Sequence, residues 1–123
     1  MKKDIMEKWV AALRSGEYTQ GRTQLRTESI DGKTSGYCCL GVLCEISGLP
    51  YEGYHGILPS RVMEWAGMKT TEGQLPKAYK AKDDTYQSLL WELNDKTDNG
   101  RSTGKTLSFK QIANIIEKNW EHL

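Results

Sequence analysis

Apolar positions along this chain gather at helical spacing in five segments separated by polar stretches. In the first, Ile5, Trp9, Ala12 and Leu13 share one face with Val10 beside them. Asp4 and Glu7 have the spacing of a capping box, and Gly16 supplies a left-handed stop, so the pattern predicts a helix over 4–15. In the second, Cys39, Leu40, Val42, Leu43, Cys44 and Ile46 suit a buried helix stopped by Gly48. A buried strand fits the same run by periodicity; the preferred reading is a strand ending near Cys38 or Cys39 that runs directly into a helix. Pro59 suits a first helical position for a short helix carrying Val62, Met63 and Ala66, ended by Gly67. Tyr86, Leu89, Leu90 and Leu93 lie at i, i+3, i+4 and i+7, which predicts a helix opened by Asp84 or Thr85. Ser108 and Gln111 form a second capping box, ahead of a final helix whose face is Phe109, Ile112, Ala113, Ile116 and Trp120.

The segment from Tyr18 to Arg26 alternates instead. A strand there places Tyr18, Gln20, Arg22, Gln24 and Arg26 on one face, and Thr19, Gly21, Thr23 and Leu25 on the other. Asp31-Gly32 marks a turn, and 35–39 can return as the partner strand. Residues 50–58 read as an irregular connection containing Tyr51, Tyr54 and His55, residues 68–83 as a long polar loop with Pro76, and 94–106 as a glycine-containing loop. The outline is one helix, two strands and four short helices: a single α+β domain over 1–123, with a small antiparallel sheet covered by helices. A two-stranded ribbon is weak alone. It calls for cover by helices, a third strand within 51–58 or 68–80, or a second subunit.

Charge narrows the functional classes. Seventeen Lys and Arg face sixteen Asp and Glu, for a net charge of +1. Stable nucleic-acid binding needs a basic excess to displace counterions, and none is present. The start of the chain lacks the apolar stretch of a secretory signal, and no segment approaches the ~18 apolar residues of a membrane span. The expectation is a soluble cytosolic protein.

All three cysteines lie between Tyr37 and Glu45. Structural zinc sites use four ligands at recurring spacing. The pattern here is Cys-Cys-x4-Cys with no fourth cysteine, and an odd count argues against a disulfide framework. Free cysteine packs as a small hydrophobe, so these three read as core, with no metal and no cofactor expected. Gly100-Arg101-Ser102-Thr103-Gly104-Lys105-Thr106 resembles a phosphate-binding loop but has three residues between its glycines instead of four, and it follows a predicted helix rather than a strand. It reads as a turn and tether. His55 and His122 have no nucleophile placed beside them, no catalytic residue is assigned, and the chain reads as a binding protein rather than an enzyme.

The face Tyr18, Arg22, Gln24, Arg26 is the candidate ligand site. Guanidiniums two residues apart on a strand stand roughly 6.5–7 Å apart, enough to straddle one phosphate or reach two. Their planar forks bind phosphate bidentately. Glutamine can read a base or ribose edge, and tyrosine can stack. Asn94, ending its predicted helix, offers an amide at the pocket rim or serves as a helix C-cap. The plain alternative is a solvated sheet face paired with Glu17 and Glu28. Trp91 lies off the stripe of its own helix and must face another element, a partner or a ligand.

Three strings carry a family likeness: Lys8-Trp9-Val10-Ala11-Ala12-Leu13-Arg14-Ser15-Gly16, Gly36-Tyr37-Cys38-Cys39-Leu40-Gly41-Val42-Leu43-Cys44 and Ser108-Phe109-Lys110-Gln111-Ile112-Ala113. Leu58-Pro59, Val62-Met63-Glu64-Trp65-Ala66-Gly67 and Leu93-Asn94-Asp95 add to it. The chain resembles a family of small accessory proteins encoded by phages and prophages. That resemblance implies action in the host cytoplasm. It suggests an anti-defence sponge that sequesters a nucleotide immune signal without degrading it, either a cyclic ADP-ribose isomer as in Thoeris or a cyclic oligonucleotide as in CBASS. The implied partner is that nucleotide-derived small molecule, held by a homo-oligomer. The alternative is an inhibitor that binds a host enzyme or defence effector through exposed aromatics such as Trp91, Tyr51 and Tyr54.

Overall fold

The structure is a computed structural model describing residues 1–81, 84–95, 97–98, 101–102 and 106–123. Helix α1 (Lys3–Arg14) buries Ile5, Met6, Trp9, Val10 and Leu13 along one stripe. That stripe packs chiefly on α5 (Phe109–Asn119), which buries Phe109, Ile112, Ala113, Ile115 and Ile116 in return. Arg14 ties the two helices at the surface through Asn114 (2.7 Å) and Glu117 (3.0 Å). The capping box expected at Asp4 does not form. The Lys2 N–H donates to the Ala66 carbonyl at 2.9 Å, and this tertiary bond starts the helix early, with Lys2 as N-cap and Asp4 in the first turn. There the Asp4 carboxylate still meets the positive end of the helix dipole. The capping box of α5 forms as its sequence predicts, with Ser108 accepting from the Gln111 N–H and the Gln111 side chain accepting from the Ser108 N–H.

The ribbon is shorter than the alternation predicts. Strand β1 (Arg26–Glu28) pairs antiparallel with β2 (Thr34–Tyr37), Arg26 opposite Tyr37. On the outer edge of β1, the Arg26 N–H donates to the Gly53 carbonyl at 2.9 Å and the Leu25 N–H to the His55 carbonyl at 2.7 Å. On the outer edge of β2, the Tyr37 N–H donates to the Thr19 carbonyl at 2.8 Å, and the Gly21 N–H donates to the Tyr37 carbonyl at 2.6 Å. The chain therefore leaves one edge of β2 at Gly21 and joins the other at Arg26. Thr23, at φ +68°, lies on this crossover, in a left-handed conformation that no strand accommodates. The expected strand over 18–26 with one shared face is thus replaced by two segments on opposite edges.

β2 runs almost directly into α2 (Cys39–Ser47), as the sequence predicts. The Cys38 Sγ caps α2 by accepting from the Gly41 N–H at 3.3 Å, and Gly48 ends the helix at φ +69°. Helix α3 (Ser60–Ala66) starts after Pro59, which is its N-cap rather than its first residue, and stops at Gly67. The long loop expected over 68–83 and the helix expected over 85–94 are corrected. β3 (Gln74–Lys80) pairs antiparallel with β4 (Tyr86–Leu89), and only Leu90–Asp95 is helical, as α4. Tyr86 faces solvent, so the apparent four-residue stripe joins a strand to a helix; the Leu90 N–H completes the junction by donating to the Gly73 carbonyl. A two-residue pair, β5 (Thr97–Asp98) with β6 (Arg101–Ser102), follows α4. The remaining residues of the phosphate-loop-like string before Thr106 (100 and 103–105) lie outside the described residues.

Trp9, Leu25, Leu40, Leu43, Leu90, Leu93, Ile112 and Ile116 are fully buried at the centre, with Cys38, Cys39 and Cys44 among them. α2 reaches that centre because residue 41 is glycine. A Cβ there would stand 1.7 Å from the Leu25 carbonyl oxygen and 2.6 Å from its carbon. Both are backbone atoms held by ribbon and loop hydrogen bonds, so the clash cannot be relieved by a rotamer change. Gly41→Ala is expected to lower unfolding free energy by about 3 kcal/mol or more, the upper end of overpacking costs. Urea denaturation of the variant beside wild type measures it; a loss below about 1 kcal/mol would mean that this contact relaxes freely.

Candidate functional site

The five residues expected at the ligand site, the face Tyr18, Arg22, Gln24 and Arg26 with Asn94 at its rim, go to four places. Tyr18 is half-buried and meets Tyr37 edge-on, with ring centroids 5.4 Å apart. Arg22 turns inward, its Nη2 donating to the Thr106 hydroxyl at 2.7 Å. Gln24 and Arg26 share a concavity on the far edge of the ribbon. Asn94 is neither a rim residue nor a free C-cap, for it is fully buried. The correction follows from the fold: the chain crosses between the two edges of β2 within residues 21–26, and the side chains diverge with it.

Asn94 is the hub of an internal polar network. Its Oδ1 accepts from the Cys39 N–H (3.1 Å) and from Gln20 Nε2 (3.0 Å). Its Nδ2 donates to the Gly21 carbonyl (2.9 Å) and to Asp95 Oδ1 (2.8 Å). Gln20 continues the chain by donating to the Leu107 carbonyl and accepting from the Phe109 N–H. Every polar atom of the Asn94 amide is therefore satisfied, as burial demands. Asp95 is buried beside it, and burial pushes its carboxyl above the ordinary value. The bonds from Asn94 and the Thr23 N–H, and the Arg22 charge, pull it partly back.

The concavity around Arg26 is open, about 450 Å³, and lined by Gln24, Arg26, Glu28, Tyr51, Glu52, Gly53 and Tyr54. The Arg26 guanidinium lies 5.1 Å from the centre of the Tyr51 ring and 3.6 Å from a Glu28 oxygen. The Glu28 contact is one of the pairings foreseen for a merely solvated face. Yet Arg26 Nε is buried with no hydrogen-bond partner among the described residues. Tyr51 is held by its hydroxyl, which donates to Glu45 Oε2 at 2.7 Å. Burial first, then that carboxylate, keep it a neutral phenol. Glu52 accepts from the Tyr54 hydroxyl and lies 3.2 Å from His55 Nε2, and both interactions hold its carboxyl below the usual range. Gly53 is required here because a Cβ would fall 2.9 Å from Arg26 Cβ and 3.1 Å from Arg26 Nε. Tyr51, Glu52 and Gly53 were not assigned to the site from sequence; the one signal was a loop unusually rich in tyrosine and glycine.

Of the three settings expected for Trp91, another element, a partner or a ligand, the structure shows the first: it packs on the core, and its indole N–H donates to Glu72 at 3.4 Å. Among the described residues, no group of three or more His, Cys, Asp or Glu is placed to hold a metal, and no helix is long and apolar enough to cross a membrane.

Two consequences can be measured. Burial pushes the Cys38 and Cys44 thiols up to about 12, and Cys39 well above its ordinary value. Since the thiolate is the reacting species, a thiol-specific disulfide reagent at about pH 8 should modify none of the three in native protein and all three after denaturation. Asp95 sets a pH trend. Between 3.8 and its raised native value, the folded protein keeps a proton that the unfolded chain releases. Its contribution therefore falls as pH rises through that window and is fully regained below it. Urea titrations from about pH 7 to pH 4 should show wild type gaining stability relative to Asp95→Asn as the pH falls; a constant or shrinking difference would contradict the assignment.

No curated protein and no solved structure matches the chain. One family model matches residues 1–120, and its description is a domain of unknown function, DUF8296. With nearly the whole chain matched, this protein belongs to the DUF8296 family.

Proposed function

We propose that this protein binds a phosphate-bearing nucleotide derivative in the Arg26 concavity and holds it intact, as a phage- or prophage-encoded sponge for a nucleotide immune signal in the host cytoplasm. The observation that carries the reading is Arg26 itself: a guanidinium stacked over Tyr51, with a buried Nε that has no partner, at the floor of an open concavity. An orphaned donor on a charged group is costly, and a phosphate oxygen would satisfy it with a charge-assisted bond. Tyr54, 64% exposed at the rim, offers a ring for a base, and Gln24 an amide for its edge. Arg22 and Asn94 take the role of scaffold in this reading, and Tyr18 braces the ribbon. The ligand class is a cyclic ADP-ribose isomer or a cyclic oligonucleotide. A second copy of the chain would close the open side.

Titration calorimetry with cyclic ADP-ribose isomers and cyclic di- and trinucleotides tests this. Binding of at least one is expected, with Arg26→Ala losing about 1.5–3 kcal/mol of it. Chromatography of the ligand released by heating should return it unconverted. No heat with any of them at micromolar protein would sink the proposal. A conversion product would make the protein an enzyme instead.

One observation favours a protein partner as a second reading: Tyr54 and Ile57 stand exposed on the same loop. Tyrosine is enriched at interface hot spots. A stoichiometric host protein retained equally by wild type and Arg26→Ala would point there.

A further inference from the structure

The Arg26 concavity has a neighbour. Tyr51 and Glu52 also line a second open concavity, of about 310 Å³, with Pro50, His55, Pro59 and Arg61. The 51–52 segment is thus a ridge between two lobes with an arginine in each. Arg61 is exposed on α3, and among the described residues it has no hydrogen-bond or ion-pair partner. Its charge is uncommitted. Arg26, in the other lobe, keeps its orphaned Nε. Between them Glu52 is an ionised carboxylate, held so by Tyr54 and His55. A carboxylate repels phosphate but accepts from hydroxyls. The order across the site is therefore cation, anion with an aromatic ring, cation.

That order is the complement of a ribose carrying a phosphate on each side. We propose that the two lobes together recognise the 3′,5′-bisphosphate unit of a ribonucleotide chain. Arg26 takes one phosphate and Arg61 the other, Glu52 accepts from the ribose 2′-hydroxyl, and Tyr51 or Tyr54 offers its ring to the base. The inference rests on the nucleotide reading above and narrows it. A pyrophosphate-bridged ligand presents its phosphates side by side, whereas a 3′–5′-linked one presents them across a sugar, which suits an arginine in each of two adjoining concavities.

The probes are adenosine 3′,5′-bisphosphate, 5′-AMP, 3′-AMP and ADP, titrated into wild type, Arg26→Ala, Arg61→Ala and Arg61→Lys. The bisphosphate should bind at least about tenfold tighter than any of the other three. Arg61→Ala should reduce its affinity to that of the better monophosphate while changing that monophosphate by less than about twofold. Arg61→Lys should keep part of the advantage, since a point charge without the planar fork still attracts phosphate. Circular dichroism of each variant confirms folding, which an exposed side chain on α3 does not control. If the bisphosphate binds no tighter than ADP, or Arg61→Ala leaves it unchanged, the two-lobe inference fails while the Arg26 reading stands. If no probe binds, the two-lobe inference fails and the Arg26 reading is decided by the cyclic-nucleotide titrations; if Arg26→Ala alters none of the probes that bind, both fail.

Discussion

The carbonyl oxygen of Leu25 lies where a side chain on Gly41 would have to begin, 1.7 Å from an added Cβ, and it accepts the Cys38 N–H at 3.2 Å. The Leu25 N–H donates to the His55 carbonyl, so one residue links the crossover from Gly21, the start of α2 and the loop that carries Tyr51 to Tyr54. Its side chain is fully buried in the core. This seat explains the composition of the Tyr37–Glu45 string better than metal or redox chemistry does. Cys38 is an N-cap small enough to bury, Cys39 offers its N–H to Asn94 and its carbonyl to Trp9, and Gly41 admits the neighbouring backbone. Each position answers a local steric or hydrogen-bonding demand.

Ordering the crossover raises a second demand. Segment 18–25 has little regular backbone pairing, so its polar groups must be satisfied inside the protein. Asn94 and Gln20 do this, drawing the Gly21, Leu107 and Phe109 backbones onto one pair of amides. A network of this kind stabilises when complete and is costly when one member is lost. α4 is only six residues long and could not stand by propensity. It is held by the burial of Leu90 and Leu93 and by this hub. The short helix, the crossover and the start of α5 thus form one cooperative unit.

Much of the fold was legible from spacing. α1 and α5 carry long apolar stripes, α2 and α3 end on left-handed glycines, and α5 opens on a capping box, all signals local to the chain. The failures occur where a distant partner decides. Tyr86, Leu89, Leu90 and Leu93 fit a helical template, but β3 supplies the partner that makes the first two a strand. Asp4 fits a cap, but Ala66 fixes where the helix starts. Arg22 and Arg26 fit one strand face, but the left-handed Thr23 and the two edges of β2 divide them. For the candidate site, Arg26 was legible because it opens β1, and Gln24 because it lies two residues before it. The loop residues were not, because their docking depends on backbone bonds from Gly53 and His55 to β1 that no short-range pattern encodes.

The Arg26 site also has a balance that bears on what it would select. A pocket of bare arginines attracts any polyanion and loses it to salt. Here Glu28 lies beside Arg26, and Glu52 stands between Arg26 and Arg61. Bulk attraction is therefore weak, in keeping with a chain whose net charge is +1. Selectivity would come from matching acceptors to the guanidiniums and donors to the carboxylates at once, with an aromatic face between. Inorganic phosphate has no face for the aromatic rings, and an extended nucleic-acid backbone gains little from a neutral surface. A small nucleotide supplies phosphate, hydroxyls and a base together. Gly53 makes that match stringent, because its close approach leaves little slack in the position of the Arg26 side chain. In the proposed reading, the cost of that orphaned donor is the energy that ligand binding recovers.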